Sequence, residues 1–359
     1  MVQNLEPGLF GLINTNKNFS NKSAWGKNQF NNTFPAALAN YMHSQNIPPV
    51  YIKMSDQLTV EHSNITVDEL FGKTPFSDDL FFSFETVFTP YQRYLIGDVP
   101  RADLVTMQLE NETATCLQDF EIKLTALPDS TTNMLDEDQY SCELVVRPDT
   151  IVYLAASIAR ANRQDRQYLF ELLNPVGSLI NDWTDIETVL PHLNSIIESL
   201  NTLLVNKIFE QSPLLIQPIW KSLDNTAELA EDCLDIFVWS DYAFTRLFLD
   251  NQNSNHTRKS INRFDRSSIW LFKMLYDFSI HGQFDHRATI DNLTYNTRND
   301  KAFAMSGART HRYLSSPELT SPRIPRSAIR HIILGGGEEL LSPERRFDAV
   351  IVNTPGLFD

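Results

Sequence analysis

Three observations predict an α/β domain for this 359-residue chain. Short runs rich in apolar and β-branched residues, such as 105–110 and 117–126, are separated by polar, turn-like segments and read as strands. Between 151 and 210, apolar residues recur at helical spacing. A content of 42% hydrophobic and 21% charged residues suits a folded chain long enough for a large core, in one domain or two.

Residues 1–60 are rich in Asn, Phe and Pro, and Ala36-Ala-Leu-Ala-Asn-Tyr-Met42 is the clearest short helix there. A capped helix is predicted from Thr66, and another over Ser77 to Phe88. Val105–Glu110 and Leu117–Ala126 form two strands, with Asn111–Thr115 as the turn and Asp103 just before the first. Tyr140 to Val146 reads as a third strand, ended by Arg147-Pro148-Asp149. Asp149 or Thr150 caps a helix through Ile151 to Arg160. Helices follow near 163–174 and 183–210, and Pro191 kinks or splits the second. Leu214–Trp220 and Leu234–Trp239 are strands, Tyr242–Leu249 and Ser267–Ile280 helices. His281 to Arg330 is mostly irregular, and Phe347–Val352 is a last strand. No internal repeat is visible.

The most informative pattern is Asp103 followed by Glu121-Ile-Lys123. Residues i and i+2 of a strand share a face, so Glu121 and Lys123 lie roughly 6–7 Å apart on one side. Phe120, Ile122 and Leu124 then point into a core. Pairing the two strands brings Asp103 beside Glu121. Mg²⁺ prefers oxygen ligands and is usually held by one or two carboxylates, with water and substrate phosphate completing its shell. Asp103 and Glu121 fit that role, and the Ile122 carbonyl offers a further ligand. Lys123 could orient a water, stabilise charge developing on phosphorus, or act as a base if desolvation lowers its pKa. Glu85, in the apolar run Phe81 to Phe88 on a predicted helix, offers a third carboxylate. Glu-x-Lys also occurs on ordinary solvated strands, so the pattern alone does not decide.

Charge narrows the substrate class. The net charge is −15, but residues 251–359 carry 15 Lys/Arg against 11 Asp/Glu, whereas residues 1–250 carry 15 against 34. The expected organisation is an acidic α/β body over 1–250, with the catalytic core at about 77–175, and a basic region over 251–359 packed on the same domain. The basic region suggests a footprint on a polyanion. Arginine can grip a guanine edge in bidentate fashion, and Asn299 could read adenine, although most such contacts go to phosphate. The candidates for DNA contact are Asn299, Lys301, Arg309, His311, Arg312, Arg323, Arg326 and Arg330.

Other signals are weaker. Three widely spaced cysteines, Cys116, Cys142 and Cys233, suggest a reducing cytoplasm rather than a disulfide framework. No apolar run reaches membrane-span length, and the first residues lack the blocks of a signal peptide. A cytoplasmic location is expected. His281, Asp285 and His286 have no neighbouring Cys or His cluster to make a zinc site. Gly335-Gly-Gly337 lacks the Lys-Ser/Thr of a P-loop and reads as a turn. Glu143 and Arg147 read as an ion pair on one strand face.

At Pro100-Arg-Ala-Asp103 and Phe120-Glu-Ile-Lys-Leu-Thr-Ala-Leu-Pro-Asp129 the chain resembles the HindVP/HgiDI family of type II restriction endonucleases. The similarity extends through Cys142-Glu-Leu-Val-Val-Arg-Pro148 and covers nearly the whole chain. That family falls in the PD-(D/E)xK nuclease superfamily. The resemblance implies a mixed β-sheet flanked by helices. It also implies Mg²⁺-dependent cleavage of both DNA strands at a short palindrome, GRCGYC, leaving 5′-phosphates. Asp103, Glu121 and Lys123 would be catalytic, with Glu85 by analogy to a helix glutamate of some superfamily members. One departure is that Ala102, not Pro, precedes Asp103. A palindromic target implies a twofold homodimer, and a cognate DNA methyltransferase acting on the same site without a stable complex. The other readings are a repair or recombination nuclease of the same fold and a non-catalytic DNA-binding protein. A glycosidase using Asp103 and Glu121 leaves Lys123 and the basic region without a purpose.

Overall fold

The computed structural model describes residues 46, 48, 50–54, 60–64, 66, 80–111, 113–122, 144–146, 148–206, 214–217, 220–223, 226–229, 237–239, 261, 263–295 and 303–305. They form a mixed α/β structure. Its centre is a seven-stranded sheet in the order β2-β1-β10-β7-β5-β4-β3. These strands are β1 (Val50–Met54), β2 (Val60–Asn64), β3 (Leu80–Val87), β4 (Arg101–Glu110), β5 (Thr113–Ile122), β7 (Leu214–Gln217) and β10 (Phe237–Trp239). β3, β4 and β5 are antiparallel neighbours, β5 runs parallel to β7, and β1 runs parallel to β10. Two small two-stranded antiparallel pairs lie outside this sheet. β6 (Leu144–Val146) pairs with β11 (Phe303–Met305), and β8 (Trp220–Leu223) with β9 (Thr226–Leu229).

The described helices share a core with part of this sheet. They are α1 (Pro148–Ala161), α2 (Arg166–Gly177), a short α3 (Ile186–Val189), α4 (Leu193–Asn206), α5 (Arg263–His281) and a short α6 (His286–Asn292). Helix α5 packs against α1, α2 and α4. Its Ile269, Trp270, Leu271, Phe272, Met274 and Leu275 are all fully buried. A helix covered on nearly every side belongs inside a layer, and α5 fills its middle. Sheet and helices share one core, in which Ala102 and Val105 of β4 join Ile151, Leu154 and Ile158 of α1. The Tyr153 hydroxyl donates to the Pro100 carbonyl at 2.6 Å, fixing α1 to the start of β4. Gly177 makes the close approach of α2 to α5 possible. A Cβ there would meet the Tyr276 ring at 2.6 Å, and the Tyr276 hydroxyl donates to Asn174 Oδ1 at 3.1 Å.

Several elements differ from the sequence reading. Leu80–Val87 is a strand, not part of a helix over 77–88. Ser83 and Glu85 alternate with Phe82 and Phe84, a period of two, and β4 supplies the hydrogen-bonded partner. The turn between β4 and β5 is tighter than expected, because Glu110 pairs with Thr113. Asn111 takes the left-handed φ of 48° that such a turn needs. The expected third strand is described only over Leu144–Val146. The next helix begins at Pro148, where the missing N–H costs nothing, rather than after a cap at 149 or 150. Pro191 splits the long helix through a 3-10 turn, Leu190–His192. Strands β1, β2, β8 and β9 had no counterpart in the sequence reading. The predicted helices at 36–42 and 242–249 and the strand at 347–352 lie outside the described residues. Among the described residues no helix is long and apolar enough to cross a membrane.

Candidate active site

The β3–β4–β5 ladder sets the geometry of the candidate site. Leu104 of β4 pairs with Phe120 of β5, and Asp103 and Glu121 occupy the next position on the two strands. On the other side of β4, Phe84 pairs with Leu104 and Thr86 with Ala102. Glu85 therefore lies opposite Asp103. Three acidic residues occupy one row across three adjacent strands, in the order Glu85, Asp103, Glu121. Directly opposed antiparallel positions have Cβ atoms about 4.5–5.5 Å apart and share a face of the sheet. The row continues into β7, where Glu121 pairs with Leu215.

The neighbouring rows show where this one sits. Two residues along in one direction come Ser83, Val105 and Asp119, with Val105 fully buried and Asp119 2% exposed. Two residues along in the other direction, Val87 pairs with Arg101, half-buried beside exposed. The acidic row thus lies between the core and solvent. Phe120, at the alternate position of β5, is buried as its strand parity predicts. Asp119 is a residue that sequence reasoning missed, although its i−2 spacing from Glu121 is the signal that places both on one face.

Glu85 belongs to this row because it sits on a strand; the helix position expected for it is corrected. Ile122 closes β5 and pairs with Ile216. Lys123, two residues past Glu121, lies outside the described residues. So do Glu143, Arg147, Asn299, Lys301, Arg309, His311, Arg312, Arg323, Arg326 and Arg330. The three residues near 285 have separate local roles. Asp285 caps α6 by accepting from the Ala288 N–H at 2.9 Å, His281 is exposed, and His286 is buried. Burial, and Arg287 beside it, hold His286 below the usual histidine range. Among the described side chains no group of three or more His, Cys, Asp or Glu could hold a metal ion. The acidic row is placed by backbone register. Its donor chemistry, carboxylates alone, suits a hard divalent cation.

A row of acids at the rim of a mixed sheet is an arrangement suited to hydrolysis at a phosphate. The chain matches the family described as HindVP restriction endonuclease over residues 25–358, and it belongs to that family. Its activity is that of a site-specific deoxyribonuclease. It is 48% identical to "Type II restriction enzyme HgiDI" of Herpetosiphon aurantiacus, over 99% of this chain and 98% of that one. It is 41% identical to "Probable type II restriction enzyme HindVP" of Haemophilus influenzae, over 99% of this chain and 96% of that one. No solved structure matches the chain.

Proposed function

We propose that the protein is a type II restriction endonuclease with a PD-(D/E)xK core, cutting both strands of DNA at GRCGYC and leaving 5′-phosphates. The observation that carries this reading is the register that aligns Glu85, Asp103 and Glu121. Asp103 and Glu121 would hold Mg²⁺, with the Ile122 carbonyl as a further ligand and Glu85 at the flank. Bound there, the ion supplies positive charge against the scissile phosphate and lowers the pKa of a water. Lys123, two residues after Glu121 in the sequence, would orient the attacking water, stabilise charge developing on phosphorus or act as a base. Residues 251–359 form the recognition region, with Asn299, Lys301, Arg309, His311, Arg312, Arg323, Arg326 and Arg330 on DNA. A palindromic target calls for a homodimer, one active site per strand. The enzyme works in the cytoplasm, where a methyltransferase protects the same sites without binding it stably.

Digestion of a plasmid of known sequence with Mg²⁺, followed by mapping of the ends, tests this. Double-strand cuts with 5′-phosphates at every GRCGYC are expected. Cuts indifferent to sequence would point to a repair nuclease, and intact plasmid with both Mg²⁺ and Mn²⁺ to a non-catalytic binder. Glu85→Gln is expected to slow cleavage by about 10–100-fold, the usual cost of disturbing a group that tunes a metal site. Wild-type rates for this variant at limiting Mg²⁺ would remove Glu85 from the site.

A further inference from the structure

We infer that Arg101 is a phosphate-binding residue at the mouth of the acidic row. This inference rests on the function proposed above and adds a residue to it. Arg101 opens β4 two positions before Asp103, so the two share strand parity. It is exposed and pairs in register with Val87. That position is the solvent side of the acidic row, opposite the buried row of Val105 and Asp119.

Among the described side chains no carboxylate lies within ion-pair distance of Arg101, whereas exposed Arg287 is held by Asp98 at 3.0 Å. A guanidinium on the solvent side of three acidic positions has an electrostatic purpose. Residues 1–250 carry 15 Lys/Arg against 34 Asp/Glu, so this part of the chain taken as a whole repels a polyanion. A DNA strand must nevertheless bring a phosphate to the row. A guanidinium presents paired N–H donors that match two phosphate oxygens, with a geometry lysine lacks. The strand end is also firmly placed. The Tyr153 hydroxyl bonds the Pro100 carbonyl, next to Arg101 in the chain, and Ala102 is buried. Arg101 is thereby held on rigid backbone on both sides.

The test is DNA binding by the full chain in Ca²⁺, measured against salt for wild type, Arg101→Gln, Arg101→Lys and Lys273→Gln. Lys273 is part-buried and bonded to Asp277 within α5 and is not among the proposed DNA contacts, so its replacement removes one positive charge without removing a contact. Arg101→Gln is expected to weaken binding by about tenfold or more. It should lower the salt slope by about one, as the loss of a phosphate contact does. Arg101→Lys should keep the slope and lose part of the affinity. Mg²⁺ half-saturation of cleavage should stay at the wild-type value in both, because neither change touches a metal ligand. Unchanged affinity and slope in Arg101→Gln, or a change no larger than that of Lys273→Gln, would overturn the inference. Asp103→Ala run alongside separates the two ideas: full cleavage by that variant defeats the proposed acidic site and leaves the binding result for Arg101 standing on its own.

Discussion

Replacing Asp103 by alanine is expected to slow cleavage by about a thousandfold or more, a loss of about 4 kcal/mol of transition-state stabilisation. Specific DNA binding in Ca²⁺ should survive. The size follows from where Asp103 stands. It occupies the middle of the acidic row, with Glu85 opposite on β3 and Glu121 opposite on β5. Neighbouring strands lie about 4.8 Å apart, so removing the middle position leaves two carboxylates on strands about 9–10 Å apart. A divalent ion held by the row would need converging ligands, and an adjacent pair of strand positions would supply them better than a separated pair. The same geometry ranks the variants. Glu121→Ala leaves the adjacent pair Glu85 and Asp103, and Glu85→Gln leaves the adjacent pair Asp103 and Glu121. Asp103→Ala alone leaves no adjacent pair, so it should be the most severe of the three. Single-turnover cleavage of plasmid DNA, with gel-shift binding in Ca²⁺, measures both halves of the expectation. An Asp103→Ala enzyme within tenfold of wild type would remove the row from the chemistry.

Much of this site is legible in the sequence, for a specific reason. Strand parity is local: Glu121 and Phe120 are assigned to opposite faces by counting in twos, and the register of β4 with β5 has the same alternation. The β4–β5 hairpin is legible too, because a polar turn divides two β-rich runs. Glu85 is the exception. Leu80 to Phe88 is mostly apolar, and the alternation of Ser83 and Glu85 with Phe82 and Phe84 is too short to decide strand over helix by itself. What decides it is β4, a pairing partner supplied from further along the chain. The long-range parts of the sheet are illegible for the same reason. Strands β1, β7 and β10 meet only through pairings between residues 50–54, 214–217 and 237–239, and no local signal reports which distant strand will supply a hydrogen bond. The sheet therefore draws strands from residues 50–64, 80–122, 214–217 and 237–239. Pro191, by contrast, acts through its own ring and missing N–H, so the split helix can be read directly.

Trp270→Ala is expected to destabilise the fold by about 3–5 kcal/mol, the range for emptying a large aromatic site in a core. Trp270 is fully buried in α5, and its Nε1–H donates to the Leu293 carbonyl at 2.9 Å. The Arg266 guanidinium lies 4.8 Å from the ring centroid, itself buried, and donates to the Thr294 carbonyl at 3.4 Å. Alanine would leave a cavity, strip the Leu293 carbonyl of its donor and take the aromatic face away from a buried cation. Trp270→Phe keeps most of the volume and a ring for Arg266, and loses only the N–H. It should cost about 1–3 kcal/mol. Urea unfolding followed by circular dichroism measures both, and a Trp270→Ala midpoint equal to wild type would contradict the packing. The link to function runs through β4. The core that Trp270 helps to fill also holds Ala102 and Val105, the residues on either side of the Asp103–Leu104 pair. Loosening α5 therefore loosens the strand that carries the middle of the acidic row. Activity lost in Trp270→Ala should fall together with folded protein as temperature or urea rises, whereas Asp103→Ala should be inactive while unfolding near the wild-type midpoint. A helix from the basic C-terminal third thus supports, through packing alone, a row of acids drawn from the acidic part of the chain.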